Sequence, residues 1–119
     1  MIKWVHAIIY SRDAEADRAF FRDVLGWRWA DAGGNWLIFA LPPSELAVHP
    51  TDDAERHELY LMCDDVAATV EELRAKGVEI VRPVSEEAFG LVTAIRLPGG
   101  GEVGLYEPRH ATPLADPPA

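Results

Sequence analysis

Apolar and polar residues alternate in "VHAIIY" and again in "HELYLMC", and behind each run the period changes. Alternation with period two marks a strand that buries one face. Asp13 and Asp65 follow the two runs, and after each of them apolar residues recur at helical spacing. Ala16, Phe20, Phe21, Val24 and Leu25 make one apolar stripe; Val66, Val70 and Leu73 make the other. A carboxylate at a helix start accepts from backbone N–H groups that have no partner inside the helix. Glu15 and Asp17 add negative charge at the first helix's positive end. Gly26 and Gly77 stand where the two helices should stop.

Three strands are expected after each helix. In the first half they cover residues 27–31, 34–41 and 45–50; in the second, residues 78–84, 91–97 and 102–107. Gly33-Gly34, Pro42-Pro43 and the turn "PGGG" punctuate them. The chain thus reads as βαβββ twice, with modules of about 1–52 and 56–110, in a single α+β domain over residues 1–110. Residues 111–119 form a Pro-rich tail expected to be disordered. Strand parity turns Val5, Ala7 and Ile9, Leu46 and Val48, Leu59, Leu61 and Cys63, and Val103 and Leu105 toward the helices. The opposite face carries Trp4, His6, Ile8 and Tyr10; Glu45, Ala47 and His49; Glu58, Tyr60 and Met62; Glu102, Gly104 and Tyr106. A polar and aromatic mixture of this kind suits a concave surface that holds a ligand. Gly104 stands out in "EVGLYEP", because a glycine inside a strand marks a bulge, a bend or a close approach.

Charge and composition narrow the function. The 119 residues carry a net charge of −9, and the eleven basic residues are scattered. Nucleic-acid binding rests on clustered Lys and Arg, so no nucleic-acid partner is expected. No apolar run approaches a membrane span, and the N-terminus lacks the apolar length of a secretion signal, so no membrane partner is expected either. Cys63 is the only cysteine, which excludes a disulfide framework and fits a reducing, cytoplasmic compartment. It should be buried and inert. Gly99-Gly100-Gly101 precedes no helix and no lysine, and so reads as a hairpin turn and not a phosphate loop. "TDDAE" and "SEE" read as solvated loops, His57 as a surface histidine, and Trp4, Trp27, Trp29 and Trp36 mostly as core or interface aromatics. Trp36 and Phe89 are candidates for a pocket rim.

In "VHAIIYSRDAEADRAFFRDVLGW", "DDVAATVEELRAKGVEI" and "GLVTAIRLPGGGEVGLYEP" the chain resembles the vicinal oxygen chelate superfamily of glyoxalases, extradiol dioxygenases and bleomycin-resistance proteins. The resemblance implies a curled, incomplete-barrel mixed sheet around a cavity, two helices on its convex side, and a homodimer. In the superfamily's metal-dependent members, the first and last strands of each module offer a ligand. His6 and Glu58, seven residues before Asp13 and Asp65, match the first-strand positions. Ala47 and Gly104 fall on the last-strand positions and have no donor atom. A catalytic divalent ion takes about three protein ligands, so His49 would have to complete the set with His6 and Glu58.

The expectation is therefore a small-molecule-binding protein of the glyoxalase/bleomycin-resistance type with no metal or other cofactor. Its ligand would lie against His6, Tyr10, Ala47, His49, Glu58, Tyr60, Gly104 and Tyr106. His6 and Glu58 would be the polar anchors and the candidate acid–base pair, the Glu58 carboxyl raised by burial. The alternative is a metal-dependent lyase, isomerase or dioxygenase acting on vicinal oxygens, with His6, Glu58 and His49 around a divalent ion.

Overall fold

Both helices begin where the aspartates stand. In the computed structural model, which describes residues 6–54, 56–111 and 113–114, Asp13 Oδ1 accepts from the Ala16 N–H at 3.1 Å and opens α1, Ala14–Asp23. Asp65 Oδ1 accepts from the Ala68 N–H at 3.0 Å and opens α2, Val66–Ala75. The C-terminus of α2 closes with the paired bonds of a Schellman motif, Gly77 N–H to Arg74 O and Val78 N–H to Leu73 O. Around the helices run β1, Trp29–Asp31, and β2, Leu37–Phe39; then β3, Tyr60–Met62; then β4, Glu79–Ile80, β5, Ser85–Glu87, β6, Gly90–Arg96, and β7, Glu102–Pro108.

The strands form two mixed or antiparallel sheets that do not close into a barrel, with two helices, as an α+β fold requires. One sheet is the antiparallel pair β1–β2. The other has the order β3-β7-β6-β4, with β5 also on β6. Its β6–β7 hairpin, closed by the turn around Gly99 and Gly100, is the long antiparallel pair, and β3 lies parallel to β7. Among the described residues the strands lie in these two sheets.

The core lies between the two helices and the β6–β7 hairpin. Phe20 and Phe21 of α1, Val66, Val70 and Leu73 of α2, and Ile95, Leu97, Val103 and Leu105 of the hairpin are all buried together. The apolar stripe of α2 is buried as its spacing requires, and Leu59, Leu61 and Cys63 pack against the same cluster. Trp27 also packs there, its ring stacked on Phe21 at 5.1 Å.

Several expected strands differ. Residues 6–10 and 45–50 are not strands, and the apolar positions meant to line the helices, Ile9, Leu46 and Val48, are exposed; Leu46 and Val48 are 90% and 88% accessible. Val5 and Trp4 lie outside the described residues, as does most of the Pro-rich tail. A strand exists only where a second strand accepts its hydrogen bonds, and among the described residues these segments have no such neighbour. The strand expected over 78–84 is cut to Glu79–Ile80 because Pro83 brings no N–H donor. "SEE", expected as a loop, resumes the pairing as β5. β1 and β2 are short because the Asp31 carboxylate turns the chain, accepting from the Gly33 and Asn35 N–H groups at 2.8 and 3.3 Å. Trp29 and Trp36 are exposed and not in the core.

Candidate functional site

β7 carries two sets of residues on its two faces. Val103 and Leu105 go to the core, while Gly104 and Tyr106 alternate with them on the open face. Register extends that face sideways: Tyr60 and Met62 of β3 pair with Gly104 and Tyr106, and Ala94 and Val92 of β6 pair with the same two residues from the other side. Tyr106 therefore stands at the centre of the open face.

Tyr106 is only 9% accessible although its face is not covered by a helix. Aromatic rings surround it. The Tyr60 ring meets it edge-on at 5.6 Å and the Phe89 ring at 5.8 Å, and the His110 imidazole stacks at 6.0 Å. The hydroxyl has polar partners on the same side. It donates to Glu45 Oε1 at 3.2 Å and lies 3.2 Å from His110 Nε2; that imidazole nitrogen is 3.6 Å from Glu45 Oε1. Glu45 arrives on the extended segment between β2 and β3, and His110 on the chain just past β7. Burial, and next the charge of Glu45, push the Tyr106 phenol above its ordinary range. The hydroxyl is thus a standing hydrogen-bond donor at neutral pH.

Gly104 explains how Tyr60 fits. A Cβ at this position would collide with the Tyr60 ring. The missing side chain makes space for an aromatic ring of the neighbouring strand, a glycine–aromatic pairing across a sheet. Tyr60 is pushed above the usual tyrosine range by burial and by its hydrogen bond to Glu58. Glu58 moves the other way from the expectation. Its carboxyl is lowered, first by the Arg56 guanidinium, whose Nε lies 3.0 Å from Oε1, and then by Tyr60. Ion pairing at a half-exposed site outweighs the slight burial. Arg56, and not His6, pairs with Glu58; Arg96 binds Glu79 and Glu102, and Arg82 binds Glu102 at 2.8 Å.

The expected site residues are thus divided. Tyr60, Gly104 and Tyr106 come together, and Glu58 adjoins Tyr60. His49 is exposed but close enough to Glu58 for its charge to favour the carboxylate. His6 and Ala47 are exposed, and Tyr10 lines a cavity beside Gly99–Gly101. Glu45, Phe89 and His110 join the cluster. Parity places Glu45 on this face, and Phe89 is a rim candidate by its place near a loop end; for His110 the chain carries no periodic signal, only its place four residues past Tyr106. Cys63 is half-buried on the helix side, its thiol pushed up by burial and facing the Tyr106 carbonyl at 3.6 Å.

Among the described residues no three His, Cys, Asp or Glu side chains converge. The Gly104 position is filled by the Tyr60 ring, and Glu58 is engaged by Arg56. Aromatic surface and hydrogen-bonding groups are what this face offers.

The sequence model described as "Glyoxalase/Bleomycin resistance protein/Dioxygenase superfamily" matches residues 3–108. No curated protein matches the chain. Among solved structures, the chain is similar to TnmS3, an antibiotic binding protein from Streptomyces sp. CB03234, at 24% identity and a TM-score of 0.66, over 90% of this chain and 97% of that one. It is similar to a lactoylglutathione lyase from Agrobacterium tumefaciens at 18% identity and a TM-score of 0.61, over 88% and 92%. A glyoxalase/bleomycin resistance protein/dioxygenase superfamily member from Sphaerobacter thermophilus matches at 21% and 0.61, over 89% and 98%. At these identities the likeness is one of fold.

Proposed function

Because the chain belongs to the Glyoxalase/Bleomycin resistance protein/Dioxygenase superfamily, we propose that it binds a small organic molecule on the open face of β3, β7 and β6, without a metal ion. The observation that carries this reading is the Tyr106 hydroxyl, held between Glu45 and His110 inside a ring of Tyr60 and Phe89. Rings that meet edge-to-face leave π-surface for a planar ligand. Glu45 and Glu58 favour a ligand with a cationic or hydrogen-bond-donating group. The antibiotic-binding description of TnmS3 supports the same reading. The metal-dependent lyase, isomerase or dioxygenase draws support from family membership, but none from the donor set.

The test uses bleomycin and other antibiotics that pair an aromatic body with a cationic group. A ligand of the site raises the melting temperature of the wild-type protein, and Tyr106→Phe weakens its affinity about tenfold, the worth of one hydrogen bond to the ligand. Equal affinity for wild type and the Tyr60→Ala/Tyr106→Phe double variant would place binding elsewhere. Stoichiometric divalent metal in protein purified without chelator, lost on His6→Ala and Glu58→Ala, would replace the binding protein with a metalloenzyme.

The same reading includes a homodimer in the cytoplasm. Exposed Ile8, Leu46 and Val48 support self-association, and the single free thiol of Cys63 suits a reducing compartment. No helix among the described residues is long and apolar enough to cross a membrane.

A further inference from the structure

Asp17 is a charged residue in a buried place. It lies in the second half of the first turn of α1 and is 5% accessible. One carboxylate oxygen, Oδ1, accepts from the Gly99 N–H at 2.7 Å and so ties α1 to the β6–β7 turn, 82 residues away along the chain. The other, Oδ2, is buried and has no hydrogen-bond partner. Gly99 is held close: a Cβ there would run into Ser11 Oγ and the Asp17 carboxylate. A carboxylate has about four acceptor sites, and a buried oxygen left without a donor is a costly arrangement that native folds seldom keep.

Beside this carboxylate is a cavity of about 310 Å³, lined by Ile9, Tyr10, Ser11, Arg12, Asp17 and the glycines 99–101. Its volume is at the lower end of what small-molecule sites use. Its walls are of two kinds. Ile9 and Tyr10 bring apolar side chains, and Asp17 brings the carboxylate whose buried Oδ2 has no partner. Arg12 forms no ion pair with a described residue, and its positive charge on the same wall disfavours a second cationic group.

We propose that this cavity is a second binding site, separate from the Tyr106 face, for a small monocation with N–H donors and an apolar tail: a primary alkylammonium, its N–H groups on Asp17 Oδ2 and its tail along Ile9 and Tyr10. The ammonium supplies the donors that Oδ2 lacks. The acidic chain, with a net charge of −9, raises the local concentration of such a cation. The site includes the first helix and the last hairpin, so its occupant bridges the two modules.

The experiment titrates n-butylammonium and tetramethylammonium into isotopically labelled protein and follows the backbone amide signals. Butylammonium shifts Gly99, Gly100 and Gly101 in a saturable way. Tetramethylammonium, which has the charge but no N–H, binds at least about tenfold more weakly. Asp17→Asn keeps an oxygen for the Gly99 N–H and removes the charge; it abolishes the butylammonium response. Tyr10 is 92% accessible and its loss leaves the core intact, so Tyr10→Ala tests the wall in a folded protein: it weakens butylammonium more than methylammonium. Tyr106→Phe leaves all of these responses unchanged, which separates this site from the one proposed above. Equal shifts with both cations, an undiminished response in Asp17→Asn, or no saturable shift in wild type would each overturn the site.

Discussion

The Tyr106 hydroxyl is set between a carboxylate and an imidazole, and its acidity reflects that setting. Burial and neighbouring negative charge hold both Tyr106 and Tyr60 above the ordinary tyrosine value of about 10. Folded pKa values raised above the unfolded ones mean stability that is complete below about pH 10 and is lost as pH rises through the folded values. Tyrosinate absorbance should therefore show two phenols ionising late, and unfolding midpoints should fall across the same alkaline window. Glu58 works in the opposite direction: its lowered carboxyl contributes stability above about pH 4.3 that is lost as pH falls through its folded value. The Arg56–Glu58 pair is half-exposed, so that contribution is small. Gly104 tests the geometry of the same cluster. Gly104→Ala forces the Tyr60 ring off its seat and breaks its contact with Tyr106, at a cost of about 1–3 kcal/mol in chemical denaturation. From the sequence, Gly104 was visible as an anomaly and its face was assigned correctly. That an aromatic ring of another strand fills the space was not visible, because the register of β3 on β7 depends on contacts more than forty residues apart.

The helices were legible as elements because their signals are local. Asp13 and Asp65 cap within three residues, and the apolar stripes repeat within ten. α2 has one further support that no local pattern reveals: Glu107 Oε1, from β7, accepts from the Val66 N–H at 3.1 Å. Two carboxylates thus serve one helix N-terminus. Asp65→Ala should lower stability by about 0.5–2 kcal/mol, measured as a shift in urea midpoint; Asp65→Ala with Glu107→Ala should lose more than either alone. The strands were legible only where a neighbour exists. β6 and β7 came out within a residue of expectation because the turn "PGGG" brings them together locally. Residues 45–50 have a strand's alternation but, among the described residues, no partner strand to accept it.

At the scale of the molecule, this unmet alternation concerns association. Leu46 and Val48 present their side chains to water in the single chain, an arrangement that natural proteins limit. Sedimentation should give a dimer for the wild-type protein, and Leu46→Lys with Val48→Lys should give a monomer whose helices are intact by circular dichroism. A wild-type monomer at micromolar concentration would end the homodimer proposal. The α+β class and the two helices were readable in the chain; the pairing of strand edges among the described residues was not, because it depends on contacts far apart along the chain.

The parallel contact of β3 with β7 also determines an order of events in time. The β6–β7 hairpin joins residues that are near neighbours along the chain, whereas β3 reaches β7 only after a segment that includes α2, β4, β5 and β6 has been closed into a loop. Loop closure of that length is slow relative to a hairpin. Pulse-labelled hydrogen exchange during refolding should protect the amides that β6 and β7 share with each other before those of Gly104 and Cys63, which donate to Leu59 O and Tyr106 O across the β3–β7 contact; simultaneous protection would refute the order. Tyr60 reaches Gly104 and Tyr106 only at that later step, so a refolding chain gains its hydrophobic hairpin first and its ligand-recognising surface last.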